Sequence, residues 1–132
     1  IVVTADGRGM WINTFMDGTT RYWDMSDPMK PKETFTKQIG SQVNMVSQSF
    51  DGKRVYFTTS LLGNWDKKDK DDEQYLKAYN WDGKDLKLAF EIDFYKEKLG
   101  RAHHMKFQAR ELSTLKPLES AQSALPLLAQ SR

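Results

Sequence analysis

His103 and His104 are the only histidines of this chain, and they stand side by side in the stretch Leu99-Gly100-Arg101-Ala102-His103-His104-Met105-Lys106-Phe107. Neutral imidazole is a common ligand of copper, zinc and iron, so any metal chemistry starts here. Neighbours on a strand point to opposite faces. On that geometry one of the two faces a given ion, and the other ligands come from outside the stretch. The same two side chains would serve equally as hydrogen-bonded interface histidines. Other chemistries find less support. The absence of cysteine removes disulfides, thiolate metal sites and a cysteine nucleophile from this segment. No glycine-rich phosphate loop joins a strand to a helix, and no Gly-x-Ser-x-Gly elbow is present. Asp24, Asp27, Glu91 and Asp93 could meet as acid and base, but hairpin ends and strand edges carry such residues routinely.

The elements that would position the histidines are written in the turns. Four Asp-Gly pairs, at Asp6, Asp17, Asp51 and Asp82, separate short runs rich in aromatic and β-branched residues. Asp-Gly accepts the positive φ of tight hairpin turns, which predicts an all-β, antiparallel chain. The first unit, residues 1–40, reads as four strands over Ile1–Thr4, Gly9–Phe15, Thr19–Asp24 and Glu33–Thr36. The second, residues 41–94, reads as Val43–Ser49, Arg54–Ser60, Tyr75–Trp81 and Lys87–Phe94. Asp6-Gly7-Arg8 recurs as Asp51-Gly52-Lys53, Trp11 as Tyr56 and Thr14 as Thr59, each 45 positions on. A period of about 40 to 50 residues with four strands per repeat describes a β-propeller blade. Two unrelated hairpins, or a β-sandwich with a covering loop, are the plainer alternatives.

Apolar residues on both faces of the second strands, around Trp11 and Tyr56–Phe57, predict blade faces that are each covered by a neighbour. Gly40-Ser41-Gln42-Val43-Asn44-Met45 aligns with Gly100-Arg101-Ala102-His103-His104-Met105 at an offset of 60, the period plus an insert. Residues 99–107 are therefore expected to be an inner closing strand beside the central channel. Propellers typically need four to eight blades. The chain is expected to be the C-terminal portion of a larger propeller whose N-terminal blades, and any leader, lie upstream.

Leu61–Gln74 is an insert. Its charged run, Asp66 to Glu73, places lysines where a calcium loop needs oxygen ligands, so a solvated loop is expected. Residues 108–132 lose their aromatics and are expected to form a loosely ordered tail. Among 132 residues, 20 basic and 18 acidic side chains are interspersed, leaving a net charge of +2 and no phosphate-tracking patch. Nucleic acid is not expected as a partner. No apolar run reaches the roughly 18 to 20 residues of a membrane span, so a soluble protein is expected, with no membrane partner.

Several uncommon words, in order and at conserved spacing, sharpen this reading. Tyr22-Trp23-Asp24-Met25-Ser26-Asp27-Pro28, then Asp51-Gly52-Lys53-Arg54-Val55-Tyr56-Phe57-Thr58-Thr59-Ser60-Leu61 with Trp65-Asp66-Lys67, and finally Asp93-Phe94, Lys98-Leu99-Gly100 and Ala102-His103 resemble the selenium-binding protein family, which includes methanethiol oxidases. The likeness covers residues 1–107. It implies a seven-bladed propeller and a copper-dependent oxidation of a small thiol, methanethiol, with dioxygen. It also implies that His103, in the Ala-His pair, is a copper ligand, with His104 as a helper. The remaining ligands, and the cysteine that carries selenium in some members, would lie outside this chain. A propeller that binds selenium or a protein partner without turnover is the competing expectation.

Overall fold

In the computed structural model, residues 1–59 and 73–107 are described. They form two four-stranded antiparallel sheets and no helix. The first contains β1 (Val2–Val3), β2 (Gly9–Thr14), β3 (Thr19–Asp24) and β4 (Lys32–Gln38); the second contains β5 (Val43–Gln48), β6 (Arg54–Thr59), β7 (Tyr75–Trp81) and β8 (Leu86–Asp93). Each sheet is a simple meander, in the order β1-β2-β3-β4 and β5-β6-β7-β8. Strand bounds agree with the sequence reading to within one or two residues at most ends, and β4 runs longer at its C-terminal end. The two meanders pack face to face, as adjacent propeller blades do.

The Asp-Gly turns explain the meander. Gly7, Gly18, Gly52 and Gly83 all take positive φ, between 65° and 90°. In each turn the preceding aspartate accepts a hydrogen bond from the amide two residues on: Arg8, Thr19 and Lys53 at 3.0 Å, and Lys84 at 2.9 Å. The 45-residue repeat extends to the hydrogen bonds. Thr4 Oγ1 donates to Asp6 and accepts from the Gly9 amide, and Ser49 Oγ donates to Asp51 and accepts from the Arg54 amide.

These hydroxyls, with the Arg8 and Lys53 amides behind them, hold the Asp6 and Asp51 carboxyls below the usual carboxylate range. A carboxyl whose folded pKa is depressed contributes stability above its unfolded pKa of about 3.9, and that contribution is lost as pH falls through the folded value. Asp51→Asn should therefore lower the urea midpoint near pH ~7 and shrink the further drop seen towards pH ~3. An acid limb unchanged by the substitution would remove this turn from the account.

The core lies between the blades. Val2, Trp11, Tyr22 and Phe35 occupy one row across β1 to β4. They meet Val43, Val46, Val55, Phe57, Tyr79 and Leu86 of the second blade. Trp11 and Phe57 are completely buried. Each covers the other, with ring centroids 6.3 Å apart, so the neighbour that the apolar second strands call for is the adjacent blade of this chain. Tyr56 points the opposite way, because strand side chains alternate. Polar ties cross the same seam. Asn13 Nδ2 donates to the Asn44 carbonyl at 3.1 Å, and Lys37 Nζ donates to the Leu86 carbonyl at 2.7 Å.

Residues 60–72, which include most of the insert, lie outside the described residues, as does the tail 108–132. The end of the insert is not a solvated loop. Gln74 is buried, and Glu73 turns back to accept hydrogen bonds from the amide of Ser41, at 2.9 Å, and from its hydroxyl. Lys77 joins the same knot: its Nζ lies 3.8 Å from Glu73, donates to the Ile39 carbonyl at 2.8 Å and sits 4.2 Å over the Tyr75 ring. Burial, then the Glu73 charge, pushes the Tyr75 hydroxyl pKa upward, so this ring stays neutral and donates to the Ser41 carbonyl. The knot clamps the linker between the blades onto β7.

Candidate functional site

The chain reaches the histidines by a reversal after β8. Phe94 to Lys98 form a turn in which Asp93 Oδ1 accepts from the Lys96 amide at 2.9 Å and the Leu99 amide donates to the Phe94 carbonyl at 2.9 Å. Lys98 and Gly100 both take left-handed backbone, with φ of 55° and 83°. The following residues then run back over the far face of the second blade. Ala102 is buried, the Thr58 hydroxyl donates to the His103 carbonyl, and the Ser47 hydroxyl donates to the Met105 carbonyl. Phe107 packs on Tyr56 with centroids 4.9 Å apart.

The closing-strand expectation gives residues 99–107 partners from outside this chain, and among the described residues they pair with no strand. They lie across the face of β5 and β6, where a ladder cannot form: ladder hydrogen bonds run within the plane of a sheet, between strand edges. The segment is held by side-chain hydroxyls and rings instead.

The placement of the imidazoles follows. Both are exposed, and their rings stand with centroids 6.5 Å apart at an interplanar angle of 61°. Among the described residues, no group of three or more His, Cys, Asp or Glu side chains is placed to hold a metal ion. The donor chemistry nevertheless fits the copper implied by resemblance, since imidazole suits that metal; the described residues supply two such donors.

The four carboxylates considered as acid and base are each engaged locally. Asp24 accepts from the Ser26 amide at 2.9 Å and Asp27 from the Met29 amide at 3.0 Å. Asp93 caps its turn through Lys96, and Glu91 lies 3.9 Å from Lys77. The turn and strand-edge reading accounts for all of them.

Sequence reasoning missed the supports. Thr58 and Ser47 carry the signal in retrospect, as small hydroxyl residues adjacent to the apolar Phe57 and Val46 on their strands. It also missed a cleft of about 300 Å³ beside the histidine segment, lined by Gln74, Phe94, Tyr95, Lys98, Gly100 and Arg101.

No family model matches the chain. Known proteins do. Over 110 residues, 83% of this chain and 25% of the relative, it is 64% identical to the methanethiol oxidase of a Hyphomicrobium species. Over 112 residues, 85% of this chain and 26% of the relative, it is 62% identical to the methanethiol oxidase of Ruegeria pomeroyi. The chain belongs to the methanethiol oxidase and selenium-binding protein family. It spans about a quarter of the length of these two relatives. The human methanethiol oxidase is 26% identical over 156 aligned positions, 86% of this chain and 33% of the relative. Among solved structures, a hypothetical selenium-binding protein from Sulfolobus tokodaii superimposes with a TM-score of 0.58 at 24% identity, over 70% of this chain and 25% of that one. That likeness concerns the fold, and it agrees with two propeller blades. No helix among the described residues of this family member is long and apolar enough to cross a membrane.

Proposed function

We propose that this chain is part of a copper-dependent methanethiol oxidase, to which it contributes His103 as a metal ligand and His104 as its neighbour. The identity of 62 to 64% with two bacterial methanethiol oxidases carries the reading. The geometry supports it. A hydroxyl fixes the main chain at His103 while the ring stays exposed, leaving its nitrogens available to an ion and to ligands from elsewhere in the protein. The overall reaction combines methanethiol, dioxygen and water to give formaldehyde, hydrogen sulfide and hydrogen peroxide, which balances in atoms and electrons. Copper, when bound, supplies the redox step between the thiol and dioxygen. The residues of this chain hold and orient.

The test uses the complete protein. His103→Ala should leave thermal unfolding nearly unchanged, because the exposed ring fills no core volume. It should lower bound copper, measured by elemental analysis, together with thiol oxidation, by about tenfold or more at limiting metal. His104→Ala should lose less. Copper in His103→Ala equal to wild type would overturn the assignment, and equal loss in both variants would make the pair a joint ligand. A mouse relative, 26% identical over 86% of this chain, is named a selenium-binding protein. That name favours a second reading, selenium binding without turnover. Wild-type protein that holds selenium and fails to consume methanethiol would decide for it.

A further inference from the structure

The far face of the second blade repeats one side of the seam between the blades. Val2, Trp11, Tyr22 and Phe35 stand opposite one another across β1 to β4 and form the first blade's side of that seam. Ser47, Tyr56, Ala78 and Phe90 stand opposite one another across β5 to β8 in the same register. Strand alternation turns this second row away from the first blade.

The first row is covered in two steps, and the second row shows the first of them. β5 lies over β1 and β2, tied through Asn13 Nδ2, which donates to the Asn44 carbonyl at 3.1 Å. Residues 101–107 lie over β5 and β6 in the same manner, tied through Thr58, 45 positions after Asn13, to the His103 carbonyl. On the first blade the outer ring, Phe35, is then capped by Trp81 of β7 with centroids 5.1 Å apart. Its counterpart Phe90 has one ring contact among the described residues, Tyr56 of its own sheet, and stays 42% exposed beside Ile92 at 37%.

We infer that this face is the docking surface for the three remaining strands of a third blade, with residues 101–107 laid in place as its first strand. The occupant is an antiparallel sheet from the part of the protein outside this chain, joined by strand addition to the edge of residues 101–107. Its chemistry is written in the seam: an apolar inner face with an aromatic residue at the place of Trp81, closing over Phe90 and Ile92. Among the described residues 101–107 pair with no strand. An unpaired edge beside an exposed apolar patch marks an interaction site. The chain spans about a quarter of two relatives, so a protein of their size has length for such a sheet. A second copy of this chain fits less well. Its first blade carries its own first strand, β1, paired with β2, which would compete for the place that residues 101–107 fill. Docking here is independent of the thiol oxidase reading.

The test puts a benzophenone amino acid at position 90 of the complete protein, where it keeps the apolar ring. Irradiation should link it, within one polypeptide, to a residue outside this chain, identified by peptide mass spectrometry. A link to residues 108–132, a link between two copies, or no link beyond the second blade would each overturn the docking sheet. Hydrogen exchange on the unlabelled complete protein is the second measurement, untouched by any effect of the label on folding. Alternate amides between Ala102 and Phe107 should exchange at least about a hundredfold more slowly than the Gly83 amide in its exposed turn, as paired amides do. Exchange at the rate of that turn would overturn the pairing.

Discussion

Trp11→Ala should destabilise the protein by about 3 to 5 kcal/mol, the range for deleting a buried aromatic from a core. The side chain is fully buried, and its ring meets four others, with centroids 4.9 Å from Tyr22 and Trp81, 6.2 Å from Phe35 and 6.3 Å from Phe57. Tyr22 and Phe35 belong to its own blade; Phe57 and Trp81 belong to the other. Removing the indole therefore opens the seam itself, and the blades should lose cooperativity as well as stability. Trp11→Phe is the informative partner. The indole Nε1 is buried without a hydrogen-bond partner among the described residues. Phenylalanine removes that unsatisfied donor while keeping a ring, and should cost roughly 1 to 2 kcal/mol. Urea unfolding of both variants separates the cases. A loss below about 1.5 kcal/mol for Trp11→Ala would mean that the seam is not the main core.

Gly18→Ala should cost more than any other Gly→Ala change among the four Asp-Gly turns. A Cβ built on Gly18 would lie 1.8 Å from the Gly40 carbonyl oxygen and 2.8 Å from Gln38 Nε2, and φ is +65°. The obstructing atom is main chain, held in place because the Gly18 carbonyl accepts from the Ile39 amide at 3.0 Å. It cannot swing away as a side chain would. Gly83→Ala is the control, with φ +90° and nothing within 4 Å of the added carbon. That change carries only the conformational penalty, about 1 to 2 kcal/mol. Gly18→Ala adds a steric term of the order of 1 to 3 kcal/mol. Equal urea midpoints for the two would show that the linker yields at no cost, and that the clamp on it by Glu73 and Lys77 is looser than drawn.

The strands and blades were legible because their signals are local. Asp-Gly turns, strand lengths and the 45-residue repeat depend on neighbours in sequence, and the structure repeats even the Thr4 and Ser49 hydrogen bonds. What covers a face is a different kind of information. Trp11 and Phe57 were recognised as residues needing cover, but which partner supplies it is a tertiary fact, and it proved to be each other. The histidine segment shows the same limit. Alignment with residues 40–45 predicts a strand at 99–107, and the period cannot tell that the segment lies against the face of β5 and β6, moored through Thr58 and Ser47. Glu73 was grouped with its charged neighbours by composition, whereas its partner Ser41 lies 32 residues earlier.

The mooring of the histidine segment separates two duties within one residue. At His103 the main-chain carbonyl is tied to Thr58 and the imidazole is left outside the fold. Placement is guarded by the hydroxyl on β6, whatever side chain stands at 103, so that side chain can be exchanged without a refolding penalty. On the ligand role proposed for His103, metal preference would then change through single exchanges at this outward-facing position, while the scaffold that aims it stays constant.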